Sequence, residues 1–199
     1  MARASTKAYL IRDPAQVRLL ASPARQDIVD ALSAAGPCSV AELAAHLGRA
    51  PDALYFHLRR LIGAGLVIER AARRNGRHVA AVYDVPGRPM RIRYGGQIGG
   101  PALQKVVNSA MRLAGRDFGR ALGPGGAAVL DGPTRNVWGG RAKGWVGKRE
   151  LAEINRLIKQ MLLIVGSGRP GRGRRQQSFT YVLAPVRVSA RAKRKGGST

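Results

Sequence analysis

One cysteine, three histidines and eleven acidic residues are all that this chain of 199 residues offers for redox, metal or acid–base chemistry. The single Cys38 excludes an intramolecular disulfide and fits a reducing compartment. It reads as a small residue at a helix start, with a redox switch as the alternative. The acids are too sparse to suggest a carboxylate pair. No G-x-S-x-G, P-loop or Rossmann fingerprint occurs, so neither an enzyme nor a cofactor is expected. Long apolar runs are missing as well. The longest, Met161 to Val165, falls far short of the roughly 18 residues of a membrane span, so no membrane partner is expected. The opening stretch MARASTKAYLIRD lacks a continuous apolar segment and carries an early acid, which argues against a signal peptide. Aromatic residues make up only 5%, although 45% of the chain is apolar, enough for a core.

What the chain has in excess is positive charge. Thirty-five basic residues against eleven acidic give +24. Residues 1–95 hold 15 basic and 7 acidic (+8), and residues 96–199 hold 20 and 4 (+16). Such an excess points to a polyanion, nucleic acid first. The alternative is an arginine-rich composition inherited from a GC-rich genome, since Arg far outnumbers Lys.

Asp13-Pro14-Ala15-Gln16 has the makings of a helix start, with Gln16 able to reach back and Val17 and Leu20 facing inward. Ser22-Pro23 restarts the chain, and Ile28, Val29 and Leu32 recur at helical spacing up to Gly36-Pro37. Ser39-Val40-Ala41-Glu42 is a capping box opening a third helix with the stripe Leu43, Ala44 and Leu47, ended by Gly48. A fourth helix, from near Pro51 to about Ala64, places Leu54, Leu58 and Leu61 on one face with Ile62 beside them. Asp52, Phe56 and Arg59 fall on the opposite face, Tyr55 and Arg60 on its flanks, and His57 at the edge of the buried side. An outward Phe suits contact with a thymine methyl or a deoxyribose better than it suits water. Leu66-Val67-Ile68 and His78 to Val85 read as strands, joined by a type I′ turn signal at Asn75-Gly76, with Arg73, Arg74 and Arg77 at the tip.

The order is helix, turn, helix, hairpin. The run His57-Leu58-Arg59-Arg60-Leu61-Ile62-Gly63-Ala64-Gly65-Leu66-Val67 closely resembles the H-L-x-x-L-x-x-A-G-L-V segment of winged helix-turn-helix regulators of the arsenical-resistance-repressor (ArsR) type. The resemblance covers about residues 10–90. It implies a bacterial, cytoplasmic homodimer that binds a near-palindromic operator in double-stranded DNA and usually represses. The chain departs from the family in having Ala50, Pro51, Asp52 and Ala53 where Ser, Thr or Gln often start the recognition helix. Asp52 could accept from a cytosine amino group, or simply suit the positive helix terminus. Many relatives sense metals, yet the third-helix segment here carries one Cys rather than a C-x-C pair. The fifth helix has no His, and His46, His57 and His78 are scattered. No metal site is expected.

Pro86 to Pro101 is rich in Gly, Pro and Arg, with a short strand at Met90 to Tyr94, and suggests a domain boundary. A fifth helix, about Ala102 to Leu122, has Val106 or Val107, Ala110, Ala114, Phe118 and Leu122 as its apolar face. A glycine-rich stretch, 123–147, holds both tryptophans. A sixth helix, about Lys148 to Val165, is periodic through Leu151, Ile154, Ile158, Met161 and Val165. A basic loop, Gly166 to Arg175, precedes a strand-like run, Phe179 to Val188. Phe118, Trp138, Trp145 and Met161 could line an effector pocket, but the plainer reading, preferred here, is a dimer core.

The expected fold is α+β, mainly helical with a small sheet. A winged helix-turn-helix domain spans 1–95, a helical dimerisation and effector region 96–189, and a basic tail 190–199. The expected function is a sequence-specific DNA-binding regulator, a homodimeric repressor released by a non-metal effector or partner. The contacts to DNA are Asp52, Tyr55, Phe56, His57, Arg59, Arg60, Arg73, Arg74 and Arg77. The alternative is a nucleoid-like or RNA-associated protein that binds nucleic acid by charge alone.

Overall fold

Caps and glycines set the element boundaries in the computed structural model, which describes residues 7–75, 78–95 and 98–186. The Asp13 carboxylate accepts from the Ala15 N–H at 2.7 Å and starts α1 (Pro14–Leu20). α2 (Pro23–Ala35) begins at Ser22-Pro23 and ends at Gly36, whose φ of 92° favours glycine. Two residues, Cys38–Ser39, form a short strand, numbered β2 because Tyr9–Ile11 forms β1. The capping box then forms as the sequence suggests. Ser39 Oγ accepts from the Glu42 N–H, and the Glu42 carboxylate accepts from the Ser39 N–H at 2.8 Å. This opens α3 (Val40–Leu47), which Gly48 closes in the left-handed region. After a four-residue turn comes α4 (Asp52–Gly63).

β3 (Ile68–Asn75) and β4 (His78–Asp84) pair antiparallel as a hairpin, and β2 adds to the far side of β4. The hairpin closes on Asn75 and His78, one residue later than a turn centred on Asn75-Gly76 would place it. Gly76 and Arg77 lie outside the described residues. The strand also starts later than the sequence suggests. Gly65, at φ +69°, swings the chain so that the Leu66 and Val67 N–H groups both donate to the Leu61 carbonyl. Leu66 and Val67 are therefore plugs beneath the end of α4, both buried, rather than strand residues.

β5 (Met90–Ile92) pairs in parallel with β1, a strand without a signal of its own in the sequence. Gln16 does not reach back to its helix start. Its amide donates to Tyr9 Oη and to the Ala64 carbonyl, both at 2.8 Å, and so ties β1 to the end of α4. α5 (Gly100–Leu122) lies across α1 and α2. Its packed stripe is Val106, Ser109 and Leu113, not the Phe118 and Leu122 end, which is exposed. The two stripes are neighbours on the helix, and the one that meets α1 and α2 wins burial. α6 (Lys148–Ser167) has no buried residue. Residues 179–186 are irregular and pair with no strand, so the expected strand does not form among the described residues, and 187–188 lie outside them.

The result is an α+β fold with six helices among the described residues. α2 is its hub, touching α1, α3, α4, α5 and β4. The core it organises includes Ile28, Leu32, Leu43, Leu54 and Leu58, and it extends to Ile98, within the Gly- and Pro-rich stretch, and to Val106 beyond it. Each fully buried Leu or Ile stabilises the fold by about 1.5–3 kcal/mol. No helix among the described residues is long and apolar enough to cross a membrane.

Candidate nucleic-acid interface

Burial of Leu54, Leu58 and Leu61 fixes the rotation of α4, and the rest follows from helical geometry. Tyr55 and Phe56 are turned out, 46% and 54% exposed, and Asp52, Arg59 and Arg60 are exposed beside them. Two aromatic rings on the outer face of a helix bring apolar area into water, a cost that contact with another surface would remove. The Arg60 guanidinium lies 5.5 Å from the centroid of the Phe56 ring, within cation–π range. His57 meets Phe56 edge-on, with ring centroids 5.6 Å apart, and its Nδ1 is buried without a protein partner. Burial, then the positive charges of Arg25 and Arg49, hold the His57 imidazole below its usual pKa. The ring is thus neutral near pH 7 and offers a donor and an acceptor rather than a charge.

The hairpin projects beside this helix with its root locked. Buried Asp84 accepts from Arg70 at 3.2 Å, from Arg88, and from the Val85 N–H at 2.8 Å. Arg88 donates in addition to the Leu32 and Ser33 carbonyls at the end of α2, where a cation suits the helix dipole. Further out, Arg73 donates to both oxygens of Glu42 at 2.5 Å, joining the hairpin to the capping box of α3. The Ser39 N–H first, and Arg73 after it, hold the Glu42 carboxyl below the usual range. The backbone of Arg74 pairs with Val79. The Arg74 side chain and all of Arg77 lie outside the described residues.

Three arginines gather where the sequence reading named only one. Arg18, Arg25 and Arg60 line an open cleft of about 530 Å³ between α1 and the end of α4, with Asp13 at its rim. Arg25 is also held by the Leu19 carbonyl at 2.7 Å. Arg18 and Arg25 sit at polar positions of short amphipathic helices, where an arginine usually means only a solvated face. Arg49, in the turn between α3 and α4, reaches Asp27 at 3.4 Å. Asp27, 8% exposed on α2, takes its main contacts from α5: Arg116 Nη1 and Nη2 donate to its two oxygens at 2.7 and 3.0 Å.

The remaining expected site residues are all exposed. Trp138 and Trp145 are 75% and 90% exposed, Phe118 and Met161 42% and 40%, and at these exposures the four enclose no cavity. α6 buries no residue, so it closes no wall of such a pocket. Among the described residues no group of three His, Cys, Asp or Glu side chains is placed to hold a metal. Cys38 is buried, and burial with the nearby Glu42 and Asp84 pushes its thiol up to about 11, so it stays protonated at neutral pH.

The succession α3, tight turn, α4 with an outward aromatic and basic face is the geometry that places a second helix in a DNA groove. A family model described as a helix-turn-helix domain, from a family that includes ArsR-like regulators, matches residues 20–70. No curated protein matches the chain. Residues 20–70 form a helix-turn-helix domain, and with it the chain carries the mark of DNA-binding transcription regulation.

Proposed function

We propose that this protein is a sequence-specific regulator of transcription, ArsR-like in its DNA-reading half, that acts as a cytoplasmic, nucleoid-associated homodimer on a near-palindromic operator. The observation that carries this reading is the outer face of α4. Tyr55, Phe56 and Arg59 stand together in solvent on a helix whose opposite side is anchored by three buried leucines. Asp52, Tyr55, Phe56 and Arg59 lie nearest the bases, with His57 a secondary contact. Arg60, Arg73, Arg74 and Arg77 hold the backbone or the minor groove. Arg18 and Arg25, which share the cleft with Arg60, extend the basic surface.

Dimerisation falls to α5 and α6. α6 repeats Leu151, Ile154, Ile158, Met161 and Val165 at alternating steps of three and four, the spacing of a two-helix seam. None of these is buried within the chain. Met161 on the exposed stripe of α6 and Phe118 on the exposed end of α5 belong to this seam. A non-metal effector or partner would act by changing the separation of the two α4 helices.

Fluorescence anisotropy at about 150 mM salt tests the reading. A duplex from the protein's own upstream region, or one from random-library selection, is compared with a scrambled duplex of equal length. A specificity ratio of roughly 10³ or more supports a regulator. If every selected duplex binds like the scrambled one, the protein binds by charge alone, a reading that the +16 of residues 96–199 favours.

A further inference from the structure

The chain has only two tryptophans, and both stand in solvent in one glycine-rich stretch outside the helix-turn-helix. An indole kept in water across a segment of this length is costly unless something covers it. Trp138 is presented from an anchored loop. Asn136 accepts from the Leu130 N–H and donates to the Ala128 carbonyl, both near 2.9 Å. Gly139 packs so closely on the Phe118 ring that an added Cβ would sit 3.3 Å from it. The Arg135 guanidinium lies 4.7 Å from the Trp138 ring centroid, leaving the rest of the indole open. Trp145 follows seven residues on, in irregular backbone before α6, so the two Cα atoms stand at most roughly 25 Å apart.

The charge around the rings indicates what covers them. From 131 to 150 the segment holds Arg135, Arg141, Lys143, Lys148 and Arg149 against Asp131 and Glu150. Both acids are engaged: Asp131 takes Arg135, and Glu150 accepts from the Gly147 N–H at 3.0 Å to cap α6. Among the described residues, Arg141, Lys143, Lys148 and Arg149 have no ion-pair partner. Open aromatic faces alternating with unpaired cations are what a single nucleic-acid strand needs, with bases stacking on the rings and phosphates lying along the cations. A duplex hides its base faces and cannot use the rings. A second copy of this chain would bring like charge against like. We infer that residues 135–149 form a second binding site, for single-stranded nucleic acid, in which Trp138 and Trp145 stack unpaired bases. This site stands independently of α4 and of the duplex reading.

Because these are the only tryptophans, fluorescence excited on the red edge, beyond tyrosine absorption, reports on this site alone. The full-length protein is titrated at about 150 mM salt with an oligothymidylate of about 15 nucleotides, and with a duplex of equal length. The free protein should emit as solvent-exposed indole, and the oligothymidylate should quench that emission saturably, well beyond the duplex. By anisotropy of labelled strand, Trp138→Ala and Trp145→Ala should each weaken oligothymidylate binding about tenfold, with Trp138→Phe keeping most of it and duplex affinity unchanged. Both rings are exposed, so the variants should melt like the parent. Blue-shifted emission without quenching would overturn the proposal in favour of burial in an assembly. Equal quenching by strand and duplex, or alanine variants that bind the strand normally, would overturn it in favour of plain charge attraction. Loss of duplex specificity with strand binding intact would count against α4 alone.

Discussion

Removing Asp27 tests whether α5 belongs to the helix-turn-helix body. The Asp27 side chain is 11% exposed and Arg116 29%, so their two bonds at 2.7 and 3.0 Å are only partly screened by water. Charge-assisted bonds of this kind contribute about 1.5–3 kcal/mol each when measured by deletion. Both partners keep a fallback. Arg116 still has Asp117 at 2.7 Å, and Asp27 still has Arg49 at 3.4 Å. Each single change, Asp27→Ala or Arg116→Ala, should therefore cost about 2 kcal/mol, below the 3–5 kcal/mol of a fully buried pair left half-empty. The coupling between them should be about 1.5 kcal/mol. Urea unfolding of the two single variants and the double variant measures it, with each single variant moving the midpoint by about 1 M. Asp117→Ala is the control, since it removes a contact within α5 and leaves the bridge to α2. A coupling under about 0.5 kcal/mol would refute the reasoning, because α5 would then be no more than loosely apposed to α2.

Phe56→Ala should leave the melting temperature nearly unchanged, since the ring is half exposed, and should weaken operator binding more than binding to scrambled duplex; equal losses on both would remove Phe56 from base reading. Ile158→Asp should abolish the dimer in sedimentation without lowering protomer stability, because α6 buries nothing within the chain; an unchanged dimer would move the interface off α6. Glu42→Gln should flatten part of the acid limb of stability. A carboxyl whose pKa is depressed on folding contributes fully above its unfolded value, near 4.3, and loses that contribution as pH falls through the folded value. Identical pH–stability curves for variant and parent would show that the capping box and the Arg73 pair add nothing together.

Local signals carried the helix-turn-helix almost completely. The caps at Asp13 and Ser39, the stops at Gly36 and Gly48, and the leucine spacing of α4 each act within a few residues, and a few residues of sequence suffice to read them. Orientation of the outward face of α4 follows from the same spacing. Long-range pairing stayed hidden. β1 is three residues long and exists because β5, some eighty residues later, lies beside it. The role of Gln16 depends on Tyr9 and Ala64, and that of Asp27 on Arg116, partners no local pattern announces. On α5 two adjacent stripes are both plausible, and only the position of α1 and α2 selects Val106, Ser109 and Leu113. The run 179–186 has strand composition without a neighbour, which is why composition alone misjudged it.

The bond between Arg73 and Glu42 makes the capping carboxylate an internal counterion for the wing. A DNA phosphate that took Arg73 would leave the Glu42 carboxylate unpaired beside the duplex, a like-charge repulsion set against the new contact. Exchanging one ion pair for another would gain less than an arginine free from the start. Off DNA, the β3–β4 hairpin is tied to the start of α3 only by this half-exposed pair, worth about 1 kcal/mol or less. Non-specific duplex therefore has to break that pair for a weak return, whereas an operator that seats α4 does so with the bases already engaged. The same carboxylate that begins the helix-turn-helix would in this way discount indiscriminate binding by a chain that carries +24.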